Sequence, residues 1–312
     1  MKKLIISLLI LGATSNYVFA QDPAFSRVYA NPLYLNPAFT GTDTNQRICL
    51  NYRGQWPNIP GYNTYNMSYD RNFIDSSDGI GILANQDRAG GATIITNNIS
   101  LLYAHQFHIK SFTLSAGVQF TWHNIILNQS NLAFGDMIDP RRGFIFQTNE
   151  RFTDTNKSVF DISAGILGYG KNYFVGFAID HITQPDESFV STASPLPMKF
   201  VLNGGVMIHA GGFIISPTVL YIKQQDFNTE VIECYLTRWH FTLGIGYRVS
   251  DAIIFTLGYQ SKYIHIGYSY DYTISMLTNM VTGGTHEGSI GVMIPYKSSK
   301  FKKTNGINCP LF

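Results

Sequence analysis

Between residues 47 and 296 the chain is a succession of short segments in which apolar and polar residues alternate with period two. Residues 112–122 show it most cleanly. Phe112, Leu114, Ala116, Val118, Phe120 and Trp122 fall on one face, and Thr113, Ser115, Gly117, Gln119 and Thr121 on the other. The same separation returns in Phe241, Leu243, Ile245 and Tyr247 against Thr242, Gly244, Gly246 and Arg248, and in the apolar row Ile264, Ile266, Tyr268, Tyr270 and Tyr272. A strand sends successive side chains to opposite faces, so each segment is a two-faced strand. No stretch beyond the first 20 residues reaches the roughly 18 to 20 apolar residues of a membrane helix. If the chain crosses a membrane it does so as strands, and a closed barrel is the one sheet that leaves no edge unpaired in hydrocarbon.

The alternating runs predict an all-β fold: an antiparallel transmembrane barrel of about fourteen strands over residues 47–296. The strands start near residues 46, 62, 79, 94, 111, 158, 171, 198, 211, 228, 238, 251, 262 and 286. Residues 124–157, 181–197 and 272–285 then form long connections at one end. The links at 110–111, 170–172, 210–212 and 260–262 are tight and belong to the other end. Long outer loops and short inner turns are the outer-membrane arrangement. The tight turn at 249–251 is the one exception this count places outside.

Residues 1–20 read as a signal peptide, with Lys2 and Lys3 ahead of an apolar run and Val18-Phe19-Ala20 before Gln21. The following segment, 21–46, does not read as a strand. Pro23, Pro32 and Pro37, with Asn31, Asn36 and Gly41, make a chain of turns, yet Phe25, Tyr29, Tyr34 and Phe39 need burial. It either folds into the lumen as a plug or docks on the periplasmic rim. Residues 297–312 form a periplasmic tail.

Composition supports the membrane reading, since only 13% of residues are charged while 14% are aromatic. A net charge of +2 gives no reason to expect nucleic acid as a partner. Cys49, Cys234 and Cys309 are scattered without metal-like spacing. The eight histidines are dispersed too, and His105 and His108 are three apart on a strand, which puts their rings on opposite faces. No phosphate loop, nucleophile elbow or CxxC is present, so the chain is read as non-enzymatic, with no catalytic residue, cofactor or metal.

One polar cluster follows from parity. With Ile48, Leu50 and Tyr52 facing lipid, Arg47, Asn51, Arg53 and Gln55 face the lumen, and Asp271, Glu287 and Ser289 turn inward on the last two strands. Closure sets the last strand beside the first, so Arg53, Gln55, Asp271 and Glu287 gather near the outer end and Arg53 meets Glu287 across the seam. Such a cluster is either an ion pair that stabilises the lumen or a constriction or docking surface for a passenger. Trp56, Trp122, Trp239, Tyr268, Tyr270 and Tyr272 read as interface or lipid-facing aromatics.

Particular motifs add to the periodicity. The opening run of residues 22–41, with Asn31-Pro32, Asn36-Pro37 and Gly41, closely resembles that of the PorP/SprF family of outer-membrane proteins associated with type IX secretion in the Bacteroidota. So do Arg53-Gly-Gln55-Trp56, residues 173–182 ending in His181-Ile182, Tyr268-Ser269-Tyr-Asp271, His286-Glu287 and the ending Cys309-Pro-Leu-Phe312. Two local departures are Arg71-Asn72 after Asp70 and Gly288 after Glu287. The resemblance implies support for secretion or surface anchoring of adhesin-like cargo in gliding and secreting bacteria. It implies as partners a cargo C-terminal domain, the periplasmic ring and peptidoglycan-binding components, besides outer-membrane lipid. The alternative on residues alone is a porin for small solutes.

Overall fold

The computed structural model describes residues 22–73, 77–146, 148, 154–189 and 193–295. The segment read as a signal peptide, the tail and Cys309 lie outside them. Fourteen antiparallel strands form a closed ring: β1 (Gln46–Gln55), β2 (Tyr62–Asn72), β3 (Asp78–Ala89), β4 (Ile94–Ile109), β5 (Phe112–Leu127), β6 (Asn156–Tyr169) and β7 (Tyr173–Asp180). The ring continues with β8 (Lys199–Val206, resuming as Ile208–Ala210), β9 (Phe213–Gln224), β10 (Phe227–Arg238), β11 (Phe241–Arg248), β12 (Ala252–Gln260), β13 (Ile264–Thr273) and β14 (Thr285–Ile294). The two pieces of β8 both pair with β9, so they are one strand interrupted at Met207. Each strand pairs with its neighbours in order, and β14 pairs with β1 to close the ring. Observed strand starts fall within three residues of those expected from the alternation.

Parity explains both faces. On β5, Val118, Phe120 and Trp122 are exposed while Thr113, Ser115 and Thr121 are buried inside. The outward rows of β11 and β13 are likewise exposed, except for half-buried Tyr270, as a lipid-facing wall requires. Long connections at 128–155, 181–198 and 274–284 share one end with the turn at 249–251. The short connections 90–93 and 225–226 are also at that end, so the expected single exception is joined by two more. Both close tightly because Gly90, Gly91 and Gln225 take positive φ.

Fourteen strands about 4.8 Å apart and tilted about 40° enclose a backbone cylinder of roughly 14 Å radius. Residues 22–45 run through this space. Asp22 lies at the long-loop end, beside Lys199 and Gln224. Gly41 lies at the opposite end, against Arg71 and Gly79, and the chain then turns back into β1. Three helical turns carry the segment down: Val28–Ala30, Pro32–Leu35 and Pro37–Phe39. Pro32 and Pro37 open two of them, where the missing N–H costs nothing. Phe25, Val28, Tyr29, Leu35, Ala38 and Phe39 pack on wall residues that include Leu167, Phe174, Val201 and Ile254. Leu33 packs apart from these, against Leu83 of β3 and Leu102 of β4.

Candidate functional site

The plug is held by three polar stations. At the short-turn end, Arg47 and Asp70 are opposite in register and fully buried. Arg47 Nε donates to Asp70 Oδ1 at 2.8 Å and Nη2 to Oδ2 at 2.9 Å. Asp70 Oδ2 also accepts the Gly41 N–H at 2.8 Å, and the Gly41 carbonyl accepts from Asn72 and Gln106. Gly41 has φ +68°, and a side chain there would meet the backbone of Gly79, which accounts for glycine at this position.

Midway, Asn36 reaches through the wall's inner surface. Its Nδ2 donates to the carbonyls of Ile166 and Phe177 at 3.1 and 3.2 Å, while Oδ1 accepts from Ala38 N. Gly165 and Gly117 face it, and a Cβ on either would overlap Asn36 or the Pro37-Ala38 peptide. The close approach of plug to wall requires glycine there.

The third station is the seam. Arg53 Nη1 lies 3.3 Å from Glu287 Oε2 and 3.4 Å from Asp271 Oδ2. Glu287 also accepts the backbone N–H groups of Ser26 and Arg27 at 2.7 and 3.0 Å. Ser26 Oγ donates to Asp271 at 2.5 Å and accepts from Arg53 and Arg248 at 2.6 and 2.8 Å. One hydroxyl therefore fills its donor and both acceptor positions. Arg248 adds ion pairs to Asp271 and Asp251 at 3.1 Å each, and Arg27 donates to Ser289.

The structure sorts the motif residues by place. Asn31, Pro32, Asn36, Pro37 and Gly41 build the plug. Arg53, Asp271 and Glu287 form the seam network, with buried Ser269 opposite Glu287 in register. Gln55 is half-buried at the end of β1 and takes no part in that network. Trp56 leaves β1 with φ 59° and sets its ring edge-on to Tyr62 at 5.9 Å. Tyr268 and His286 share a 2.7 Å hydrogen bond on the outward face.

His181 enters a grouping that spacing along the chain does not reveal. At the long-loop end of the lumen His123 of β5, Asp161 of β6 and His181 after β7 bring ligand-type atoms within 4.8 Å of one another. His181 Nδ1 is 2.9 Å from Asp161 Oδ2, and Nε2 is 2.8 Å from Asp22 Oδ2. Burial opposes a charge on His181, but the Asp22 carboxylate and the hydrogen bonds to Asp161 and Asp22 outweigh it and push its pKa up to about 10. The histidines are dispersed along the sequence, and the fold brings two of them together with Asp161. Ser26, Arg27, Arg248, Asp22, His123 and Asp161 are the further residues that sequence reasoning did not single out.

A closed fourteen-strand wall, apolar outside and carrying a polar, occupied lumen, defines an outer-membrane β-barrel protein with an internal plug. The sequence profile described as type IX secretion system membrane protein PorP/SprF matches residues 18–292, and the chain belongs to that family. Membership assigns it a role in type IX secretion. No curated protein sequence matches it. Among solved structures it is similar to the Acinetobacter baumannii outer membrane protein Omp33, at 8% identity and TM-score 0.46, covering 82% of this chain and 100% of that one. A Pseudomonas aeruginosa FadL homologue shows 12% identity and TM-score 0.43, with 80% and 89% covered. Escherichia coli outer membrane phospholipase A shows 9% and 0.35, with 80% and 92% covered.

Proposed function

We propose that this barrel is a non-enzymatic anchor of the type IX system. It holds the C-terminal domain of a secreted, adhesin-like cargo at its long-loop end and meets the periplasmic ring and peptidoglycan-binding components through its short turns. The observation that carries this reading is the apolar surface of the long-loop end. The 274–284 connection projects Ile274, Met276, Leu277, Met280 and Val281, with Met276 fully exposed and Met280 91% exposed. The 128–155 connection adds exposed Ile138, Phe144, Ile145 and Phe146. Exposed apolar groups gathered on loops mark a partner surface, and methionine adapts to varied partners.

The lumen supports a closed barrel over the porin alternative. The plug touches β13, β14 and β1 through Ser26 and Arg27, β8 and β9 through Tyr29, β6 and β7 through Asn36, and β2–β4 through Gly41. At the seam the hydroxyl of Ser26 is taken up by Asp271, Arg53 and Arg248, which ties the plug to the wall there.

The test replaces Met276 and Met280 by aspartate. With the barrel present at wild-type level, cargo display at the cell surface is expected to fall severalfold. Unchanged display, with wild-type protein conducting small ions freely in planar bilayers, would overturn the anchor reading in favour of the porin.

A further inference from the structure

We propose that His123, Asp161 and His181 bind a first-row divalent transition metal, with zinc as the fitting ion, at the long-loop end of the lumen. Three features of the site support it independently of the secretion role.

The first is geometry. His123 Nε2 lies 3.7 Å and His181 Nδ1 2.9 Å from Asp161 Oδ2. Donors around a tetrahedral ion at about 2.0–2.1 Å stand roughly 3.3 Å apart. All three ligand-type atoms lie within 4.8 Å of one another, so side-chain adjustment on the order of 1 Å closes the triangle onto one face of that tetrahedron and leaves the fourth position to water.

The second is an orphan. His123 is only 4% exposed, yet neither ring nitrogen has a hydrogen-bond partner. A buried imidazole with both nitrogens unpaired is costly unless something occupies one of them. Its ring centroid lies 5.8 Å from that of His181, with the two planes tilted by 53°.

The third is the surrounding shell. A metal-bound histidine usually gives its other N–H to a carboxylate, which fixes its tautomer and strengthens it as a ligand. His181 Nε2 has Asp22 at 2.8 Å in that position, and Asp22 is itself fixed by Lys199 at 2.7 Å. The other Asp161 oxygen accepts from Thr183 Oγ1 at 2.6 Å, which leaves Oδ2 for the ion. Imidazole and carboxylate together suit zinc among the available divalent ions.

The ion would join β5, β6 and the start of the 181–198 connection and, through His181 and Asp22, the first residue of the plug. Nothing in this depends on which cargo the barrel carries.

The experiment uses the full chain, carrying a tag without histidine, extracted from outer membranes in mild detergent. The protein is stripped with EDTA and titrated with Zn²⁺, and metal is counted by elemental mass spectrometry. The expected result is about one equivalent per chain, lost in His123→Gln. Asp22→Asn leaves the stoichiometry unchanged and weakens binding by about 10- to 100-fold. Co²⁺ in place of Zn²⁺ should give the intense visible absorption of a tetrahedral site, a readout on wild-type protein that stands even if His123→Gln fails to fold. Uptake below a tenth of an equivalent, binding indifferent to folded His123→Gln, or a Co²⁺ spectrum of the octahedral aquo type would each overturn the proposal.

Discussion

Replacing Asp70 by alanine removes the carboxylate paired directly with Arg47 at the base of the plug. Both side chains are at most 2% exposed, and their two hydrogen bonds are the bidentate kind that couples strongly. Breaking such a pair from one side strands a buried guanidinium and costs about 3–5 kcal/mol. The Gly41 N–H loses its acceptor in the same step. The double variant Arg47→Met/Asp70→Leu removes both charges and keeps the volume, which by itself is close to neutral. What remains is the unpaired Gly41 N–H, worth about 1–3 kcal/mol. The carbonyl of Phe39, which Arg47 also contacts, keeps its bonds from Thr42 and adds little. The double variant is therefore expected to be more stable than Asp70→Ala. Urea unfolding of the barrel in lipid vesicles, followed by tryptophan emission and by gel mobility, measures both. A loss under about 1 kcal/mol for Asp70→Ala, or a double variant no better than the single one, would refute the claim that this buried pair pins the plug.

Other outcomes follow from the same contacts. Gly165→Val drives a side chain into Asn36, so the plug shifts and bilayer conductance should rise while circular dichroism keeps the strand content. Unchanged conductance would place the barrier elsewhere. Phe39→Ala, at a fully buried position in the plug core, should cost about 3–5 kcal/mol in the same urea assay. Exchanging the charges as Arg53→Glu with Glu287→Arg should not restore stability, because Glu287 also accepts the N–H groups of Ser26 and Arg27 and an arginine cannot. Full recovery in the exchanged variant would mean that the seam is a simple ion pair.

Period-two alternation is a local property, so the wall was legible in residues such as Phe112 to Trp122 and Phe241 to Tyr247. Parity then carries one step further. Once Tyr52 faces out and the last strand adjoins the first, Arg53 and Glu287 must share the inner face, and the register does set them opposite. Gln55 shares that parity yet stands aside because it lies at the strand end. The plug was only half legible. Its prolines and aromatics required turns and burial, but nothing periodic in residues 22–45 fixes which surface receives them. Ser26 is unremarked in sequence because the three partners of its hydroxyl come from β1, β11 and β13. His123, Asp161 and His181 are brought together by strand pairing across a long connection, and Asp22 reaches them only because the plug enters the lumen at the long-loop end. Glycines 117 and 165 would have been a signal, since the inner face lacks side chains where Asn36 and Pro37 pass.

The measurement that bears most directly on the anchor role is affinity capture of the tagged barrel from gently solubilised outer membranes, with residue-level cross-links read by mass spectrometry. The account predicts a large secreted protein joined by its C-terminal domain to the 128–155 and 274–284 connections, with periplasmic components joined to the short turns. A barrel recovered without cross-linked protein at the long-loop end, from membranes where cargo is displayed, would contradict it.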